Sequence, residues 1–219
     1  MAVLKKTSMK SQVYELLKER ILNQTYGFGD KINMLELSQE LEVSNSPIRE
    51  ALSILENEHL VVFKPNAGPS VIEIDEAIFD EVKGTATVLL LGSYDQCLRF
   101  GVIDKVIETM EDYLKKQEQL LQDESPESVF AFAKLSIAFD MSILRALENS
   151  TLNQLYDSFF NRLYMVVIYN HQHEGLDREQ NLAEHRLILQ AIKEGRHDDV
   201  KTHILNHFNR SVTKDTLLQ

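Results

Sequence analysis

Two histidines, His185 and His207, stand eleven positions either side of Arg196, and the adjoining Gly195 predicts a turn between two helices. In an antiparallel helix pair, equal distance from the turn sets two side chains level, here roughly 16 Å along the axis at about 1.5 Å per residue. The two imidazoles can therefore converge. A histidine pair so placed could form a site, and chemistry in the bundle is best sought among His185, His207 and Asp140. His203 lies one turn before His207 and out of level with His185. Each histidine taken alone is more readily a polar surface or core residue than a ligand.

A second stretch, Ser44-Asn45-Ser46-Pro47-Ile48-Arg49-Glu50-Ala51-Leu52, has the chemistry of an anion reader. Ser44 or Asn45 can cap the first turn of a helix, and Pro47 fits a first-turn position where no donor is lost. Ile48, Ala51, Leu52 and Leu55 recur at helical spacing, which leaves Ser44, Asn45, Ser46 and Arg49 facing solvent. Short polar side chains and one arginine at a helix N-terminus suit phosphates and base edges.

The elements that would position this reader follow from its neighbours. Met34-Leu35-Glu36-Leu37-Ser38-Gln39-Glu40-Leu41 predicts a short helix, joined through Glu42-Val43-Ser44, so the pair reads as a helix-turn-helix. Leu60–Lys64 and Ser70–Ile74 are strand-like runs, separated by the turn-rich Pro65-Asn66-Ala67-Gly68-Pro69. That hairpin is a wing, and Asn66 and Gly68 at its tip would reach a minor groove or the backbone.

Together these residues resemble the winged-helix domain of the GntR family of bacterial transcription regulators. The resemblance covers about Val13 to Ile74. It runs through Val13-Tyr14, Leu17, Ile21-Leu22, Gly29-Asp30-Lys31-Ile32, Leu37, Leu41, Val43-Ser44, Pro47 to Leu52, Leu55-Glu56 and Leu60-Val61. It implies DNA contacts from Ser44, Asn45, Ser46 and Arg49. Two positions depart from the pattern: Asn45 stands where relatives often have arginine, and Ala67 precedes the wing glycine where many carry arginine.

The composition fits this organisation while weakening its electrostatics. The 219 residues are 43% hydrophobic with 8 Gly and 4 Pro, enough for two modest cores. The lone Cys97 argues against a disulfide framework and reads as a small buried hydrophobe. No run reaches the roughly 18 apolar residues of a membrane span, and the start lacks a signal-peptide core, so a cytoplasmic protein is expected. Net charge is −11. Residues 1–70 hold eight basic and nine acidic side chains, about −1, which leaves about −10 beyond them. A DNA binder with so weak a basic face should depend strongly on salt and on dimerisation.

Beyond Ile74 the pattern is helical throughout. The fold class expected is mainly α: a winged helix-turn-helix with a small β-hairpin wing over 1–74, then an all-α antiparallel helical bundle over 75–219. Helices are predicted near 75–100, 103–122, 126–147, 151–171, 177–194 and 197–213. Bundles of this kind hold ligands between facing helices.

Glu184-His185, Ile188, Ala191-Ile192, Gly195, Val200, Ile204 and His207-Phe208 resemble the end of the FCD ligand domain of FadR-type GntR regulators. Many members bind a divalent metal through one Asp and three His, the first two as an Asp-x-x-x-His pair. Leu135 to Asn149 occupies that place here, with Ser136 at the Asp position and Asp140 at the His position. The resemblance thus implies Asp140, His185 and His207 as ligands for Zn, Ni, Mn or Fe. Alternatively the metal is lost and a polar pocket takes an organic effector, or Asp140 and His185 form a structural ion pair. Ser136 borders this region. Lys83, near where relatives often have arginine, and Arg162, a charge in an apolar helix, are further anchors for an effector carboxylate.

The function expected is a homodimeric, ligand-responsive regulator, a repressor in the first instance, bound to double-stranded operator DNA with no membrane partner. An organic acid is the effector class the resemblance implies. A metal-dependent enzyme is the alternative that shares the His–Asp set, but no nucleophile elbow, phosphate loop or His-Glu-x-x-His helix supports it. A winged-helix interaction scaffold is the third.

Overall fold

The computed structural model of the protein describes residues 8–65, 67–173 and 177–208. The chain divides into two compact units at Ile74/Asp75.

The first unit is built on α1 (Met9–Leu22), α2 (Met34–Glu40) and α3 (Asn45–Asn57). In α1, Val13, Leu17 and Ile21 recur every four residues and are buried, against the α3 stripe of Ile48, Ala51, Leu52 and Leu55. Asn33 caps α2 by accepting from the amides of Leu35 and Glu36. The turn between α2 and α3 is locked from both sides: the Val43 amide donates to Ser38 O at 3.2 Å, and Ser38 Oγ donates to Val43 O at 2.6 Å. Glu42 takes the left-handed conformation, φ 53°, which the reversal demands. Tyr14 and Lys18 of α1 both hold Glu58, at 2.5 Å and 3.0 Å, tying the end of α3 to α1.

The wing consists of β1 (Val61–Lys64) and β2 (Gly68–Val71), antiparallel, with Val61 opposite Val71 and Lys64 opposite Gly68. The second strand thus starts two residues earlier than its hydrophobicity predicts, takes in Pro69, and ends at Val71. Pro69 is tolerated because its carbonyl, not an amide, is what the position needs: it accepts from the Ile32 amide at 2.9 Å. Lys31 bridges Ser70 on the same side. Gly68 sits at φ +80°, a conformation that a side chain strains although the space beside it is open.

The second unit is a bundle of α4 (Glu76–Phe100), α5 (Ile103–Leu120), α6 (Pro126–Arg145), α7 (Ser150–His173), α8 (Arg178–Lys193) and α9 (His197–Phe208). Asp75, Ser125 and Asp177 cap α4, α6 and α8 with side-chain oxygens, and Gly101 closes α4 in the left-handed conformation. These ends agree with the predicted helices to within two residues; the predicted extension of the last one to Thr213 lies outside the described residues. The α6 helix is the hub, packed against α4, α5, α7 and α8. That is why its sequence is apolar nearly all round, and why Ser136 and Asp140 are buried within it. Cys97 is buried, and its thiol donates to Ile143 O on α6. No helix among the described residues is long and apolar enough to cross a membrane.

Leu55 is fully buried between α1 and α3. Leu55→Ala should therefore lower the unfolding free energy of the winged helix by about 2–5 kcal/mol, read as an earlier calorimetric or denaturant transition with the bundle transition unmoved.

Candidate metal centre and reading helix

Asp140 leaves α6 at its most buried stretch, His185 leaves the inner face of α8, and His207 leaves the last turn of α9. The α8–α9 hairpin turns at Gly195, φ +66°, and brings the two imidazole centroids to 4.9 Å. One ligand atom from each of the three residues lies within 4.8 Å of the others. His185 Nε2 is 3.6 Å from Asp140 Oδ1, and His207 Nε2 is 3.4 Å from Asp140 Oδ2. His203 is not part of the cluster.

The protons of both rings are committed elsewhere. His185 Nδ1 lies 3.0 Å from Gln117 Oε1, an acceptor, so Nδ1 donates. His207 Nδ1 lies 2.7 Å from Glu184 Oε2, and a carboxylate again accepts. With Nδ1 donating, the His185 ring turns its Nε2 lone pair towards the Asp140 carboxylate, which His207 Nε2 faces from the other side. His185 is fully buried, stacked on Phe139 at 4.1 Å, and its Nε2 has no hydrogen-bond partner among the described residues. Burial pushes its pKa down from 6.5 to about 3, against a partial lift from Asp140. At neutral pH it carries no charge, so a structural ion pair with Asp140 is not what holds these groups. A buried lone pair facing a carboxylate is repelled by it unless a cation sits between them. The donor set, the orphaned Nε2 and the outer acceptors on Nδ1 all fit a divalent ion.

The outer partners form a chain of buried side chains. Gln117 Nε2 donates to Asn181 Oδ1 at 3.5 Å, and Ser136 Oγ donates to the same oxygen at 3.1 Å. Ser136 is thus a hydrogen-bonding residue one turn from Asp140. Gln117, Asn181 and the acceptor role of Glu184 are absent from the sequence expectations. A signal for Gln117 exists: it occupies an apolar heptad position, seven residues after Met110 on the buried stripe of α5, where a lone amide is conspicuous.

A cavity of about 60 Å³ adjoins the cluster, walled by Asp140, His207 and Ser136 together with Phe79, Lys83, Leu163, Val166, Asn170 and Asn181. Lys83 reaches it with Nζ stacked 4.6 Å from the Phe79 ring centroid. Arg162 does not wall it. Its guanidinium forms a two-pronged pair with Glu81, at 3.1 and 3.2 Å, because its place on α7 faces the outer edge of α4.

In the winged helix, Ser44 occupies the N-cap of α3 without using its hydroxyl as a cap. Ser44, Asn45, Ser46 and Arg49 are all exposed, and Ser46 Oγ donates to Glu50 at 3.2 Å. Arg49, Ser53, Lys64 and Gly68 border one concave surface between α3 and the wing. Asn66 lies outside the described residues.

Residues 9–71 match the family described as bacterial regulatory proteins, gntR family, and residues 103–210 match the FCD domain. The chain is 27% identical over 209 residues to the helix-turn-helix transcriptional regulator YdhC of Bacillus subtilis (strain 168), covering 94% of this chain and 90% of that one. It is 24% identical to the gluconate operon transcriptional repressor of the same organism, over 87% and 78% of the two chains. A GntR transcriptional regulator from Rhodococcus sp. RHA1 shares the fold, with a TM-score of 0.70 at 18% identity over 92% and 94% of the chains.

Two measurements probe the cluster. His185 titrates near 6.5 when unfolded and near 3 when folded, so between those values the unfolded chain binds a proton that the native bundle refuses. Metal-free protein should lose stability as pH falls through that window, on the order of 2 kcal/mol by pH 5, and His185→Leu should flatten that limb of the urea-unfolding profile. Gln117→Leu, which removes the acceptor orienting His185, should weaken metal affinity roughly 10–100-fold in a chelator competition, with helical content retained.

Proposed function

Because this chain belongs to the GntR family of bacterial transcription regulators and carries an FCD ligand-binding domain, we propose that it is a homodimeric, metal-assisted repressor whose release from DNA is set by a small organic acid. The observation that carries this reading is the convergence of two histidines and a carboxylate beside a cavity, in a chain whose other unit presents a polar reading helix.

Asp140, His185 and His207 would hold a divalent ion, with Gln117 and Glu184 fixing the ring orientations. When bound, the ion supplies a Lewis-acidic centre with coordination positions open to a carboxylate. Lys83 at the cavity wall adds positive charge for the same anion, and Ser136 and Asn181 offer polar contacts. Arg162, paired with Glu81, is left out of the effector set. The relative named as a gluconate operon repressor supports an acid as the effector class.

On the DNA side, Ser44, Asn45, Ser46 and Arg49 would enter the major groove, with the wing around Asn66 and Gly68 against the backbone. A dimer would place its two α3 helices in successive major grooves about 34 Å apart on a pseudo-palindromic operator. Effector binding shifts DNA occupancy only by its differential affinity for the DNA-competent and DNA-incompetent states. The homologues are regulators, and the geometry of the His–Asp cluster is put to sensing rather than turnover.

Arg49→Ala should lower affinity for the chain's own promoter region at least about tenfold and reduce the salt dependence by about one phosphate contact. An Asp140→Ala, His207→Ala double variant should lose near-stoichiometric metal in elemental analysis while still binding that DNA. Unchanged DNA affinity in the first case removes Arg49 from the reading set, and absence of metal from wild type removes the ion from the mechanism.

A further inference from the structure

The cavity beside the metal cluster contains a polar atom that none of the roles above uses. Asn170 follows Leu163, Val166 and Val167 along one face of α7, and all four wall the cavity. Its Oδ1 is buried and has no hydrogen-bond partner among the described residues. The other polar wall residues are engaged: Ser136 and Asn181 bond each other, Asp140 and His207 face each other, and Lys83 lies over the Phe79 ring. A buried carbonyl oxygen left without a donor is destabilising, and a ligand hydroxyl or amine would satisfy it. The cavity volume, about 60 Å³, has room for roughly four to six water-sized groups at ~10–15 Å³ each.

We infer that Asn170 is a specificity-determining residue that selects effectors carrying a hydroxyl or amino donor beside the carboxylate, within a body of about four to six non-hydrogen atoms. The inference rests on the effector site proposed above. In it the carboxylate is met at the metal and Lys83 side, and Asn170 Oδ1 accepts the donor across the cavity. An acid of the same length without the donor leaves the carbonyl unpaired and is discriminated against for that reason, as happens wherever a site is built to bond a substrate hydroxyl. The apolar remainder of the wall, from Phe79, Ile137, Leu163, Val166, Val167 and Phe208, disfavours a longer polyhydroxylated chain.

The test uses full-length protein, first assayed for metal by elemental analysis and then titrated calorimetrically with matched acids: glycolate against acetate, and lactate against propionate. Wild type should bind each hydroxy acid at least about tenfold more tightly than its deoxy partner. In Asn170→Leu, with the same metal content and melting temperature, that preference should fall to within about threefold. Equal binding of hydroxy and deoxy acids by metal-loaded wild type overturns the inference while leaving the metal site standing. A preference that survives in Asn170→Leu overturns it as well, as does loss of metal from that variant, which would make Asn170 a ligand instead. Failure of metal-loaded wild type to bind any of the four acids also overturns it. Metal-free wild type that keeps the Asn170-dependent preference sinks the ion and spares the residue.

Discussion

A buried carboxylate facing two imidazole nitrogens is the constraint on which the bundle turns. Asp140 lies 3.4 to 3.6 Å from both Nε2 atoms, and each of the three groups is held from behind. Gln117 and Glu184 take the ring protons, Phe139 stacks under His185, and the buried hub helix α6 carries Asp140. Ion pairing does not describe the contact between His185 and Asp140, because desolvation lowers the His185 pKa to about 3.

From this constraint the wider architecture follows. A ligand set drawn from α6, α8 and α9 requires the α8–α9 hairpin to close in register, and the left-handed Gly195 permits the tight reversal. It also requires α6 to sit at the centre, since a carboxylate on a peripheral helix would be solvated and the histidines would lose their reason to converge. The α4 and α7 helices then complete the walls of the cavity with apolar side chains, and Lys83 lies over the ring of Phe79 rather than in open solvent. In the winged helix the same economy applies on a smaller scale. One apolar stripe on α3 fixes its depth and rotation, and the polar side chains opposite are exposed as a consequence.

Much of this was legible in the sequence because it is periodic or punctuated. The stripe of Ile48, Ala51, Leu52 and Leu55, the helix ranges of the bundle, and the equal spacing of His185 and His207 about Arg196 are local or symmetric signals that survive without tertiary knowledge. What was not legible depends on partners distant in sequence. Pro69 reads as a turn residue until Ile32 is seen to need its carbonyl. Arg162 reads as a charge inside an apolar helix, and only the neighbouring α4 shows that Glu81 claims it. Gln117 is 68 residues from the histidine it orients, and Asn170 is one amide among several on a long helix. Periodicity reports which face is buried; it does not report which buried polar atom lacks a partner.

The position of His207 in the final turn of α9 has a consequence for the life of the protein as well as for its sensing. The α9 helix packs against α8 and α4, and helix ends open locally more readily than buried helix middles. A cation bridging His207 to Asp140 and His185 would cross-link that helix to the hub, and by mass action would suppress its local opening in proportion to ion occupancy. Susceptibility to proteases would then follow the supply of free metal. The amount of intact protein would carry a slow record of metal supply.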